Sequence, residues 1–158
     1  MSRPEDNSRP ALFLLFHCDL RLCALPVESV SETMRSLPIE PVPDMPLFLL
    51  GVSIIRGSVV PVLDVACLLG STKYPVHTRF VTLKLGARRV AFAVDDVIGV
   101  RLLSNQTTAE ISPLLGAVDV GAIETIRTLD AELILILQAA HLISDAAWAA
   151  LDLHGGPQ

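Results

Sequence analysis

Three groups of residues in this chain have the types and spacing to do chemistry. Asp95 and Asp96 are adjacent carboxylates, and acid–base catalysis uses carboxylates in pairs. Neighbours on an extended chain point to opposite faces, however, so these two cannot readily share a substrate and read as an acidic kink between apolar runs. His17, Cys18 and Cys23 carry metal-ligating atoms, but their spacing is not that of a zinc knuckle and no second ligand pair follows. They read as structural thiols beside a satisfied histidine. The third group is a single residue, Arg56, a cation at the tip of an otherwise apolar hairpin within Gly51–Gly70, GVSIIRGSVVPVLDVACLLG. Its chemistry would be contact with a partner.

No other group suggests catalysis. The chain has no G-x-G-x-x-G, no phosphate-binding G-K-[ST], no H-E-x-x-H and no G-x-S-x-G. His77 falls in a polar linker, His154 near the end, and His141 in an apolar segment. We therefore expect no enzyme, no metal and no cofactor. The net charge of −5, with Lys and Arg scattered singly or in pairs, speaks against a nucleic-acid duplex. An aromatic content of 4% removes the stacking platform that single-stranded nucleic acid needs. The longest apolar runs, 11–16 and 133–137, fall far short of the roughly 18 residues of a spanning helix, so no membrane insertion is expected. The first ten residues lack the apolar core of a signal peptide, and three cysteines suit a reducing compartment. The expected location is cytoplasmic.

The elements that must position Arg56 are strands. Arg56-Gly57-Ser58 between two β-branched runs reads as a hairpin turn, with Gly57 free to take positive φ. Asp64 then caps a short helix that Gly70 stops. Residues 80–85 alternate apolar and polar, the period of a half-buried strand, and 89–94 return after Gly86-Ala87-Arg88. Residues 12–18 and 22–30 read as strands around the turn Asp19-Leu20-Arg21, with Pro26 marking an edge, a bulge or a start. Pro38, Pro41, Pro43 and Pro46 force an extended connection, and Met45–Leu50 has room for one helical turn. Val97–Leu103 reads as strand, 104–121 as a long loop, and 122–127 with 133–137 as a hairpin. Ser144-Asp145 can cap a last helix through Trp148 and Leu151.

The chain also repeats itself. Ala24–Val30, ALPVESV, matches Ala91–Val97, AFAVDDV, and Val59–Leu69, VVPVLDVACLL, matches Leu133–Ile143, LILILQAAHLI. The two matches occur in the same order. They predict a mostly β protein of two similar small barrels of about five short strands each, with short helices and a C-terminal helix. The expected boundaries are a frayed tail over 1–11 and one domain over 12–151. Within it, lobe one spans about 12–70, lobe two about 80–138, and a helical segment 139–151. Modules of this shape work by binding other proteins at strand edges and shallow grooves.

These residues resemble the CheW family of chemosensory coupling proteins. The likeness rests on Gly51-Val52, Ile55-Arg56-Gly57, Val60-Pro61-Val62-Leu63-Asp64 and Leu69-Gly70. It extends to Val94–Val100, VDDVIGV, and to Val27–Glu32, VESVSE. The resemblance implies two five-stranded SH3-like barrels packed together, in a non-enzymatic adaptor. Its implied partners are the cytoplasmic tip of a methyl-accepting chemoreceptor and the regulatory domain of a CheA-type histidine kinase. By position, Val30, Val97 and Val100 would line the receptor groove, and Glu32 and Arg56-Gly57 would stand beside it as the family's paired charges and turn. No phosphotransfer, ATPase or receiver segment is recognisable, so the stand-alone coupler is the expected form. Ile54 stands where the family commonly has Asn, Gln138 replaces a usual acid, and the turn at Asp19-Leu20-Arg21 lacks a glycine. Two alternatives stay open: a diverged scaffold in a non-motility or surface-motility pathway, and a small-molecule-binding β domain.

Overall fold

The computed structural model describes residues 10–71, 77–103, 123–129, 132–143, 145, 148 and 149. β1 (Ala11–Cys18) and β2 (Arg21–Pro26) form a hairpin over Asp19-Leu20, both left-handed at φ 51° and 66°. β2 stops at Pro26 and does not run to Val30 as expected. Proline has no N–H for the ladder, and Val27–Ser29 make one 3-10 turn instead. β3 (Val30–Arg35) follows at once. The helical turn expected at Met45–Leu50 is absent: Pro46–Leu49 close a simple turn, and Leu49 opens β4 (Leu49–Ile55). β5 (Ser58–Asp64) returns from the Arg56-Gly57 turn and leads into α1 (Val65–Leu68). The second half runs β6 (Arg79–Leu85), β7 (Arg88–Val94), β8 (Asp96–Leu103), β9 (Ile123–Leu129), β10 (Glu132–Leu137) and α2 (Ala139–Leu142). The expected 104–121 loop and most of the last helix lie outside the described residues.

The strands form two five-stranded sheets, ordered β8-β1-β2-β10-β9 and β3-β6-β7-β5-β4. The sequence repeat reappears as structure. β10 runs parallel to β2 with Ile136 opposite Ala24, and β5 runs parallel to β7 with Val62 opposite Ala91. In the aligned repeat, Ala24 matches Ala91 and Val62 matches Ile136. The two pairings are therefore one pairing made twice.

The lobes do not divide at residues 70–80. The first sheet takes β1 and β2 from the first half of the chain and β8–β10 from the second, while the other takes β3–β5 from the first half and β6 and β7 from the second. Each half gives its first two strands to the lobe that the other half completes. Linker length explains the exchange. In either lobe the incoming third strand lies parallel to the second strand of the hairpin it joins. A parallel return within one sheet needs a crossover of about a dozen residues. Only Val27–Ser29 separate β2 from β3, and only Asp95 separates β7 from β8. The chain has to step across to the other sheet.

Three apolar clusters result among the described residues. Phe13, Leu15, Leu22, Ala24, Leu103, Ile134 and Ile136 fill one lobe, and Ile55, Val60, Val62, Phe80, Ala91 and Ala93 fill the other. The opposite faces of both sheets meet in the largest cluster, where Phe16, Leu25, Leu63, Leu83, Phe92 and Leu137 are fully buried. The alternation of β1 is thus apolar on both faces, one for its own lobe and one for the seam. The second lobe also curls, so that the segment following β3 reaches its last strand. Beyond β3, Glu40 pairs with Val52 of β4 through backbone bonds of 2.8 and 2.9 Å, and Ser53 Oγ donates to Pro38 O at 2.7 Å.

Candidate functional site

Arg56 and Gly57 are the two central residues of the β4–β5 hairpin, at φ 53° and 78°. Two successive left-handed residues make the turn that matches strand twist, and glycine takes its position without strain. Nothing lies within 4 Å of where a Gly57 side chain would start, so this glycine serves conformation and not a close approach.

Glu32 comes to Arg56 from β3. The β3–β6 register slips between Val30 and Glu32, and Thr82 covers the gap: Glu32 N donates to Thr82 Oγ1 at 3.2 Å, and that hydroxyl donates to Glu32 O at 3.2 Å. A slip of this kind re-aims the side chain beside it. Arg56 Nε donates to Glu32 Oε2 at 3.2 Å and Arg56 Nη2 to Oε1 at 2.8 Å, a two-point fork. The Arg56 hydrogen bond holds the Glu32 carboxyl below the usual range, helped by the charges of Arg56 and Arg89, against partial desolvation. Glu32 in turn holds the guanidinium pKa up. Arg56 remains 70% exposed while Glu32 is 29% exposed. The carboxylate orients the cation, and the cation faces outward.

Val30 and Val97 occupy equivalent places in the repeat, where the chain enters β3 and β8. Both are half-buried against the seam between the sheets. Val100, opposite Leu14, is exposed, and Leu102 with Leu12 extends it as an apolar strip on the same face. The structure therefore joins Glu32 to Arg56 directly, sets Val30 and Val97 on the seam, and leaves Val100 on an open surface.

The other candidates separate as well. Asp95 Oδ2 accepts from Asp19 N at 3.0 Å, whereas Asp96 Oδ1 pairs with His17 Nδ1 at 2.8 Å. The two carboxylates hold the β1–β2 hairpin from different sides. Cys18 and Cys23 lie in the seam, where burial pushes both thiols up, Cys23 to about 12. Asp64 caps α1 by accepting from Cys67 N at 3.3 Å, and His77 Nε2 lies 3.3 Å from the same oxygen without hydrogen-bond alignment. Gln138 makes no such side-chain cap on α2.

The CheW-like domain model matches residues 12–147. The chain belongs to the CheW-like domain family. It is 35% identical over 103 residues to Protein FrzA of Myxococcus xanthus, covering 63% of this chain and 61% of that protein, so it spans under two thirds of FrzA's length. It is 29% identical over 135 residues to Chemotaxis protein CheW of Thermotoga maritima, covering 84% and 87%. The crystal structure of scaffolding protein TtCheW from Thermoanaerobacter tengcongensis superposes with a TM-score of 0.75 at 22% identity, over 87% of this chain and 95% of that one. That likeness carries the fold: a mostly β protein of two sheets, as the sequence predicts. Among the described residues, no helix is long and apolar enough to cross a membrane.

Proposed function

We propose that this protein is a non-enzymatic, cytoplasmic adaptor that couples methyl-accepting chemoreceptors to a CheA-type histidine kinase in a membrane-associated array. The receptor tip would lie along the seam between the lobes, against Val30, Val97 and Val100, with Arg56, Gly57 and Glu32 beside it. The observation that carries this reading is the Glu32–Arg56 fork, which holds a mostly exposed cation in one orientation on a chain of this family. An exposed ion pair adds little to stability, so its use lies in what the oriented cation can meet. The test is a kinase assay reconstituted with receptor and kinase, with and without this protein. Addition should raise receptor-controlled phosphorylation, and Arg56→Ala should lose that effect while the circular dichroism stays native. Unchanged coupling by a folded Arg56→Ala protein removes this role for Arg56.

A second reading, a CheW-like scaffold serving a different pathway, draws on Ile54. This side chain is 71% exposed next to the Arg56 turn, paired across the hairpin with Val59, which is also exposed. An apolar pair beside the cation suits an altered partner surface. Co-sedimentation with receptor–kinase arrays separates the two readings.

A further inference from the structure

We propose that the tip of the β6–β7 hairpin is a second docking surface, which binds an acidic segment of a partner protein. Lys84, Arg88 and Arg89 are three of the chain's twelve Lys and Arg residues, on a molecule whose net charge is −5. The hairpin turn concentrates them: Lys84 stands directly opposite Arg89 in the strand register, and Leu85 opposite Arg88. Like charges placed directly across two strands oppose the hairpin's own stability. Arg89 lies within electrostatic reach of Glu32, but both oxygens of that carboxylate are already engaged by Arg56. An anion arriving from outside would relieve the repulsion that folding leaves in place.

A second, separate observation gives the site its shape. The same hairpin tip walls a wide-mouthed recess of about 610 Å³ whose far side is Trp148. The Arg88 guanidinium carbon lies 4.4 Å from the centre of the Trp148 ring, so the cation is stacked on an aromatic floor. Lys84 and Arg88 line the recess together with one acid, Asp145. Cations alternating with an indole suit a segment in which acidic and apolar side chains alternate. They suit a polyphosphate less well, because Glu32 and Asp145 interrupt the basic surface that a duplex or an anionic bilayer would need unbroken. Leu85 and Trp148 reach the edge of the seam from this side, but Val30, Val97, Val100 and Arg56 are not among the residues that line the recess, so Lys84 tests this surface apart from the coupling role.

The full chain is titrated into a fluorescein-labelled peptide of alternating Glu and Leu, and anisotropy is read at low and high salt. We expect binding at low salt that weakens as salt rises, and loss of about tenfold or more on Lys84→Glu. That variant places an acid opposite Arg89, so its urea midpoint should rise or hold while binding falls, which excludes unfolding as the cause. Trp148→Ala should also weaken binding, and Lys84→Arg should retain it. The proposal is overturned if the peptide does not bind at low salt, or if the Lys84→Glu protein binds it as well as the parent. Equal binding of a Lys–Leu peptide, a DNA duplex or phosphatidylserine vesicles overturns it too.

Discussion

Glu32 and Arg56 come from opposite ends of one sheet and meet at 2.8 Å. β3 is the first strand in that sheet's order and β4, whose hairpin carries Arg56, is the last. Strands spaced about 4.8 Å apart would hold those edges about 19 Å apart in a flat sheet. The fork is therefore a contact between the two outer strands of a strongly curled sheet, alongside the backbone bridge between Glu40 and Val52. The curl of the sheet lets a strand-borne acid orient a turn-borne cation that is distant along the sheet.

This contact has a definite pH dependence. The folded state holds the Glu32 carboxyl below its ordinary value, so the stabilisation is fully present above the unfolded value of about 4.3. It is lost as pH falls through the lower, folded value. A double-mutant cycle of Glu32→Gln and Arg56→Ala, read by urea unfolding, should show coupling at neutral pH and none once the carboxyl is protonated. Coupling that persists in acid would mean that charge is not what joins the two.

Gly51 guards the same curl by a different means. Its φ is +145°, and a Cβ there would land on the Glu40 carbonyl oxygen and within 2.8 Å of Ile39 Cγ2. The obstacle is backbone of the bridging segment, which cannot move without breaking the Glu40–Val52 pair. Gly51→Ala should cost about 2–4 kcal/mol from strain and overpacking together. Gly57→Ala, with open space around it, should cost only about 1 kcal/mol for its left-handed backbone. Equal urea midpoints for the two variants would refute the distinction.

Leu20 is a position where the chain is strained and can be improved. It is 89% exposed at φ 66°, in a two-residue turn that favours glycine. Leu20→Gly removes little packing and relieves the left-handed strain, so it should stabilise by about 1 kcal/mol. The anchoring bond from Asp19 N to Asp95 Oδ2 is untouched by this change. A fall in thermal midpoint would indicate that the Leu20 side chain contributes contacts within the folded chain.

Much of this was legible in the sequence, and the failures have physical causes. The Asp64 cap, the Arg56-Gly57 turn and the β6–β7 hairpin follow from local chemistry, which short segments carry whatever their surroundings. The repeat was legible for the same reason. Which half completes which barrel was not, because exchanged and unexchanged lobes contain identical strands. Only the three-residue and one-residue linkers decide it, and their meaning depends on strand direction. β3, VSETMR, carries little strand signal in the sequence because its faces are half-buried at most. Glu32 is legible through family resemblance alone, since nothing in its neighbourhood announces a partner 24 positions away. Lys84 and Arg89 looked scattered until the turn set them face to face.

The exchange of strands makes the strongest prediction about the whole molecule. A chain cut between Ser71 and His77 yields halves that each hold two strands of one sheet and three of the other. Neither half keeps a parallel pair, since β2 needs β10 and β5 needs β7. To fold alone, a half would have to bring its third strand back beside its own hairpin across a linker far too short for a parallel return. Each half should therefore be unfolded by far-ultraviolet circular dichroism, and mixing should restore the native spectrum. The intact chain should unfold in one transition, with fluorescence of Trp148 and dichroism coinciding, because Phe16 and Phe92 share one seam. Phe92→Ala should lower the stability of that single unit by about 3–5 kcal/mol and should not melt one lobe first. Two separated transitions, or one half that folds by itself, would show that the lobes are independent despite their interleaved strands.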